Sequence, residues 1–128
     1  MISTKQNMSI LLVEDNILNQ RLMTINLRSL GHKVTVANNG LEGVELFKKN
    51  RFDLSLMDIM MPVMDGIEAT KVIREIEKRE NKYTPIIAFT ANTLNNDYHT
   101  CKSNGMDHLL EKPFSVSKFT QILEELDN

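Results

Sequence analysis

Glu14 and Asp15 stand side by side after the apolar run SILLV (9–13). Asp58 closes a second such run, DLSLM (53–57), Thr90 closes PIIAF (85–89), and Lys112 follows the short run His108 to Leu110. Three carboxylates brought together repel one another, so a site that shares them needs a proton or a cation. Oxygen-only donors suit Mg²⁺, which keeps waters and takes one or two carboxylates plus phosphate oxygens. Zinc is disfavoured, because no Cys/His pair has ligand spacing. A carboxylate can also be the nucleophile in phosphoryl transfer, forming an aspartyl phosphate. Mg²⁺ and a lysine would then neutralise the charge on the transferring group, and a hydroxyl such as that of Thr90 could donate to one of its oxygens. Taken singly, each residue is ordinary: a strand-end Asp is commonly a cap or turn residue, and a lone Lys or Thr is commonly a surface residue. Their conjunction points to a site only if the fold brings the run ends together.

The spacing of apolar residues supplies such a fold. Strands are expected at Ser9 to Val13, Lys33 to Ala37, Asp53 to Met57, Pro85 to Phe89 and His108 to Leu110. Between them run amphipathic segments. The first is capped by Asp15 or Asn16, carries Leu18, Leu22, Ile25 and Leu30 at helical spacing, and stops at Gly31. Leu41 to Asn50 forms the second helix, with Val44 and Phe47 on one face. Ile67, Val72, Ile73 and Ile76 mark the third, after a loop containing Pro62 and Gly66. Leu94 to Asn104 is a weaker fourth helix stopped by Gly105, and Ser115 caps a fifth bearing Val116, Phe119, Ile122, Leu123 and Leu126. Five βα units in succession imply an α/β fold, a five-stranded parallel sheet with five helices on both faces, because parallel strands need long right-handed crossovers. Ligands of such sheets bind beyond the carboxyl ends of the strands, where Glu14, Asp15, Asp58, Thr90 and Lys112 all fall.

Composition narrows the function classes. The 128 residues suit one domain, with a core over about 8–126 and a flexible start over 1–7. Hydrophobic residues make up 41% and charged residues 25%, the balance of a globular domain. The net charge of -2 and the lack of a basic block argue against direct nucleic-acid binding. No apolar run is long enough to span a bilayer and no secretory signal opens the chain, so no membrane insertion and a cytoplasmic location are expected. The single cysteine, Cys101, fits a reducing compartment and reads as a helix core residue. His32, His99 and His108 read as structural or surface residues, so a histidine phosphodonor belongs to a partner.

The stretches ILLVEDN (10–16), LMDIMMPVMDG (56–66), PIIAFTAN (85–92) and EKPF (111–114) closely resemble the receiver domains of two-component response regulators. NQRLMTINLRSLGHKVTVANNGLEGVELF (19–47) is most similar to receivers attached to hybrid sensor histidine kinases. The likeness spans about residues 8 to 126 and implies the (βα)5 flavodoxin-like receiver fold. It implies that Asp58 is the phosphoacceptor, and that Asp15, Asp58 and the backbone carbonyl of Met60 hold Mg²⁺, or Mn²⁺ in its place, with Glu14 acting through water. It makes Thr90 the switch hydroxyl and Lys112 the lysine that pairs with the phosphoryl group, ahead of a cis bond to Pro113. The family's usual switch aromatic is replaced by Leu109, and Phe89 reads as core rather than as its substitute. Met60 and Asn92 occupy the positions that tune water attack on the acyl phosphate, and methionine there implies a longer-lived phosphoryl group. The implied partner is a sensor histidine kinase or a histidine phosphotransfer domain, met through a first helix exposing Asn19, Arg21 and Arg28. The chain itself is expected to be a monomer or weak dimer, and a signalling module rather than an enzyme.

Three other readings share parts of the pattern. A phosphate-independent interaction module of the same fold would not need Asp58, Asp15 and Lys112 together. A haloacid-dehalogenase-type phosphatase needs a second Asp two residues after the nucleophile, where Met60 stands. A flavodoxin-type flavin site needs a Ser/Thr/Gly-rich phosphate cradle after the first strand, where the anionic Glu14-Asp15 stands instead.

Overall fold

Runs of four or five largely buried residues can persist as strands only where both faces of a sheet are covered, and the computed structural model, which describes residues 7–61, 63–90 and 97–127, has that arrangement. β1 (Ser9–Val13), β2 (Lys33–Ala37), β3 (Leu54–Asp58), β4 (Ile86–Thr90) and β5 (His108–Glu111) pair in parallel in the order β2-β1-β3-β4-β5. They alternate with α1 (Ile17–Ser29), α2 (Gly40–Lys49), α3 (Gly66–Glu80), α4 (Asp97–Ser103) and α5 (Val116–Asp127). All five expected strands are present, shifted by a residue at most at their starts. The expected fourth helix begins within residues outside the described ones, as does the expectation for 1–7 apart from Asn7, whose amide donates to the Gly31 carbonyl at 3.0 Å.

The sheet divides the core in two. Leu11, Val13 and Met57 pack with α2 and α3 through Val44, Phe47, Ala69, Ile73 and Ile76, and Cys101 and Met106 join them. Ile10, Leu12, Leu56 and Phe89 pack on the other face with Met23 and Leu27 of α1 and Phe119, Ile122 and Leu123 of α5. Each of the Val, Leu, Ile, Phe and Met side chains among them, fully buried, contributes about 1.5–3 kcal/mol. His32 is part of this second layer. Its Nδ1 accepts from the Met8 amide at 3.3 Å, its ring meets Phe119 edge-on, and burial pushes its pKa below the ordinary value.

The four apolar residues that mark α1 in the sequence do not share one face, because Leu30 packs against the core. Leu18, Leu22 and Ile25, whose spacing marks the helix, face outward with Ile17, and all four are more than half exposed. The helix carries a second apolar stripe at the same spacing, Met23, Leu27 and Leu30, and this one meets the sheet. Both stripes have the 3.6-residue period, so periodicity alone cannot choose between them.

Ser55 is fully buried in β3, and its hydroxyl finds no hydrogen-bond partner among the described residues. Removing an unsatisfied buried hydroxyl relieves its desolvation cost. Ser55→Ala is therefore expected to raise stability by about 1 kcal/mol, read as a higher urea midpoint with an unchanged slope.

Candidate functional site

Three strand ends are each followed by a helix whose cap is a short polar side chain. Asn16 accepts from the Asn19 amide, Asn39 from that of Glu42, and Asp65 forms a reciprocal capping box with Glu68. Such caps satisfy the free amides of a first helical turn. They also tie the β1–α1, β2–α2 and β3–α3 loops down at one edge of the sheet. Glycine makes the loops' close approach possible. Gly66 donates to the Ile59 carbonyl at 3.0 Å, and a Cβ on it would collide with the main-chain oxygen of Asp58. Gly40 donates to the Met64 carbonyl at 3.0 Å under the same restriction.

The cleft at this edge is lined by Glu14, Asp15, Asn16, Asn19, Asp58, Met60, Thr90 and Lys112. Its volume is about 420 Å³, and among the described residues Met60 is the one apolar residue of its lining. Glu14, Asp15 and Asp58 can each present one carboxylate oxygen with all three oxygens inside 4.8 Å. Lys112 reaches in from the end of β5, with Nζ 3.2 Å from Asp58 Oδ2 and 3.4 Å from Glu14 Oε1. Beneath the ammonium lies the Phe89 ring, 5.1 Å away, which binds a cation through its face. Thr90 closes the wall from β4, and its carbonyl accepts from the Lys112 amide at 2.8 Å. The Met60 amide donates to Asp58 Oδ1 at 3.2 Å while the Met60 side chain is 76% exposed.

Glu14 is fully buried. Burial pushes its carboxyl above the ordinary value, and nearby Asp58 adds to the rise, while the Asn16 amide and the Lys112 ammonium pull it back. Its Oε2 accepts from the Asn16 amide at 2.9 Å, but its buried Oε1 has no hydrogen-bond donor in good geometry among the described residues. Burial also pulls the Lys112 ammonium down, yet Asp58 and Glu14 outweigh it, and its pKa ends above the ordinary lysine value. One ammonium facing three carboxylates, with a buried carboxylate oxygen left open, fits a divalent hard cation. The all-oxygen donor set selects Mg²⁺ over softer ions.

The structure therefore brings together Glu14, Asp15, Asp58, Met60, Thr90 and Lys112 as the sequence reading required. The Lys112–Pro113 bond is cis. Leu109 is half-buried against the α2–α3 layer of the core, and Phe89 is a core residue at 2% exposure. Asn92 lies outside the described residues. Sequence reasoning did not single out Gln20, whose side-chain amide donates at 2.5 Å to the Glu14 carbonyl and at 2.9 Å to Asn38 Oδ1. Its signal was available: Gln20 is a polar residue in register with Met23 and Leu27 on the inward stripe of α1.

The family model of the response regulator receiver domain matches residues 10–124. Hybrid signal transduction histidine kinase B of Dictyostelium discoideum is 44% identical over 117 residues, covering 84% of this chain and 6% of that protein. Hybrid signal transduction histidine kinase K of the same organism is 38% identical over 120 residues, 90% of this chain and 10% of the protein. The chain thus spans a tenth or less of the length of these curated relatives. Among solved structures, it is similar to the receiver domain of a Pseudomonas aeruginosa sensor histidine kinase with a magnesium ion coordinated in its active-site cleft. There the TM-score is 0.82 at 42% identity, over 93% of this chain and 96% of that one. It is also similar to the Saccharomyces cerevisiae co-crystal structure of the histidine phosphotransfer signaling protein Ypd1 with the receiver domain of Ssk1. That match has a TM-score of 0.84 at 30% identity, over 94% of this chain and 88% of that one.

Proposed function

The chain belongs to the response regulator receiver domain family, and from that premise we propose that Asp58 takes a phosphoryl group from a phosphohistidine on a partner protein. The observation that carries this reading is the placement of Asp58, buried at the cleft floor, within 3.2 Å of Lys112 and beside the Glu14–Asp15 pair. An Asp58 carboxylate oxygen attacks phosphorus, the P–N bond breaks, and the imidazole keeps the electron pair. Asp15, Asp58 and the Met60 carbonyl would hold Mg²⁺, or Mn²⁺ in its place, with Glu14 acting through water. When bound, the ion offsets the charge of the phosphoryl oxygens. Lys112 pairs with one of those oxygens and Thr90 donates its hydroxyl to another, as the donor groups of preorganised transfer sites do. Movement of Thr90, with Leu109 where an aromatic ring is usual, then biases the α4–β5–α5 face between two packings. Met60 and Asn92 set the lifetime of the phosphoryl group. The chain works as a cytoplasmic signalling module, monomeric or weakly dimeric, without nucleic-acid contacts. Among the described residues no helix is long and apolar enough to cross a membrane.

The experiment that tests this is incubation with Mg²⁺ and acetyl phosphate followed by intact-mass measurement, alongside Asp58→Ala. One added phosphoryl group that requires Mg²⁺ and is absent from Asp58→Ala is expected. A folded protein that takes none from any donor would instead favour the phosphate-independent module.

The outward stripe of α1 supports a protein donor, either a sensor histidine kinase or a histidine phosphotransfer domain. Ile17, Leu18, Leu22 and Ile25 form an exposed apolar face that adjoins the cleft through Asn16 and Asn19, with Arg21 and Arg28 exposed on the same helix. An apolar patch with a polar rim marks a protein contact. Leu22→Asp is expected to slow transfer from a phosphotransfer protein at least about fivefold, since a truncated interface anchor costs more than about 1 kcal/mol. Uptake from acetyl phosphate should stay at the wild-type rate, and equal slowing of both would remove the docking role.

A further inference from the structure

Asp15 makes no side-chain hydrogen bond among the described residues and sits exposed at the mouth of the cleft, so its main chain sets the range its carboxylate can reach. That main chain is held from one side by Gln20. The amide nitrogen of Gln20 donates to the Glu14 carbonyl at 2.5 Å, and the same nitrogen donates to Asn38 Oδ1 at 2.9 Å. Asn38 is held in turn by Glu42, whose Oε1 accepts from the Asn38 main-chain amide at 2.9 Å and from its Nδ2 at 3.1 Å. The direction of this chain is set at both ends, because a carbonyl and a carboxylate can only accept. Gln20 must therefore present its nitrogen to Glu14, and Asn38 its oxygen to Gln20. At the main-chain level, the Glu14 amide donates to the Ala37 carbonyl at 3.0 Å, so the ends of β1 and β2 are joined twice.

The Glu14 carbonyl belongs to the peptide plane that also contains the Asp15 amide, and that plane is rigid. Turning that plane about the Glu14 Cα–C bond would carry Asp15 with it. The Glu14 carboxylate is fixed separately, through Oε2 and the Asn16 amide at 2.9 Å. The bond from Gln20 thus bears on Asp15 in particular. Its donor comes from the inward stripe of α1, one turn before Met23, so packing of that helix against the sheet sets its position.

We infer that Gln20 is a positioning residue for the cation site, holding the Glu14–Asp15 peptide so that Asp15 meets Mg²⁺ in a ready geometry, with Asn38 and Glu42 as its support. The inference rests on the receiver reading of the cleft and adds to it a residue that touches neither metal nor phosphoryl group. Groups that orient metal ligands from behind typically change metal affinity by about 10–100-fold when removed.

The test is calorimetric titration of Mg²⁺ into the unphosphorylated 128-residue chain as wild type, Gln20→Met, Asn38→Ala and Asp15→Asn. Methionine keeps the length and helix preference of glutamine and donates nothing. Gln20→Met is expected to weaken Mg²⁺ binding about tenfold, and Asn38→Ala to weaken it less. Uptake from acetyl phosphate should then need more Mg²⁺ for half-saturation and reach the wild-type rate when saturated. Wild-type affinity in a folded Gln20→Met overturns the inference, as does a lowered maximal rate with unchanged half-saturation. Should Gln20→Met not fold, wild-type affinity in Asn38→Ala overturns it as well. Failure of the underlying reading looks different: no Mg²⁺ binding by the wild type, or full binding by Asp15→Asn.

Discussion

Lys112→Ala is expected to slow phosphoryl uptake at Asp58 by about 10²–10³-fold, the usual effect of removing one preorganised donor to a charge that builds during reaction. The same variant should bind Mg²⁺ more tightly than the wild type. The Lys112 ammonium lies 3.2 Å from Asp58 and 3.4 Å from Glu14, so it competes with an incoming cation for the same carboxylates, and its loss leaves them less compensated. Slower reaction with tighter metal binding separates an electrostatic role in transfer from a role in assembling the site. Time courses of intact mass with acetyl phosphate, together with Mg²⁺ titration, read the two effects. Weaker Mg²⁺ binding, or an unchanged rate, would contradict the assignment. The pH dependence follows from the raised pKa of Lys112. A raised value means that the charged form, and the stability it adds, is complete below the ordinary lysine value of 10.5 and is lost only as pH rises through the higher folded value. In the Mg²⁺-free protein, no loss of stability assignable to lysine deprotonation is therefore expected between neutrality and about pH 10, read as an unchanged urea midpoint.

Arg74→Ala is expected to destabilise the protein by about 3–5 kcal/mol, the cost of leaving a buried charge without its partner. Arg74 lies on α3 at the end of the sheet opposite the cleft. Its Nη1 meets Glu77 Oε1 at 2.6 Å and the Thr84 carbonyl at 2.9 Å, its Nη2 meets Asp107 Oδ2 at 2.9 Å, and its Nε donates to the Gly105 carbonyl at 2.9 Å. Glu77 is only 3% exposed, so its charge has no recourse to water once Arg74 is gone. The guanidinium also stacks on Tyr83, 4.2 Å from the ring centre. The Tyr83 hydroxyl in turn donates to Asp107 Oδ1. Lysine should not rescue, because a point ammonium cannot make the fork of contacts that spans α3, the α3–β4 loop and the turn before β5. The measurement is a urea midpoint, with uptake by the folded protein in the cold staying near wild type because the cleft is untouched. A loss below about 1 kcal/mol would place the cluster with ordinary surface pairs.

Much of the site was legible because a strand end is a local event. Apolar runs stop where β1, β3 and β4 stop, and the residues at those stops, Glu14-Asp15, Asp58 and Thr90, are polar ones that the parallel arrangement sends to the same edge. Lys112 was legible for the same reason. Two caps were legible too: Asn16 accepts from the Asn19 amide and Ser115 from that of Lys118. Other features were not local. Glu77 stands in a charged stretch that reads as solvated, and only Arg74, Thr84 and the turn before β5 make it a buried ion. Gln20 is one polar residue among several on α1 until the Glu14 carbonyl and Asn38 close on it.

The sequence by itself determined the order and type of the elements and the edge of the sheet where chemistry collects, because side-chain period and strand ends are properties of neighbouring residues. Only the tertiary structure decided which apolar stripe of α1 faces the sheet, since Leu18-Leu22-Ile25 and Met23-Leu27-Leu30 have the same helical spacing. Packing against Ile10, Leu12 and Phe119 buries the second and leaves the first exposed. The tertiary structure also decided the distances that turn Glu14, Asp58 and Lys112 into one electrostatic unit. Those depend on strand register and loop closure between residues far apart in the chain, which no local pattern encodes.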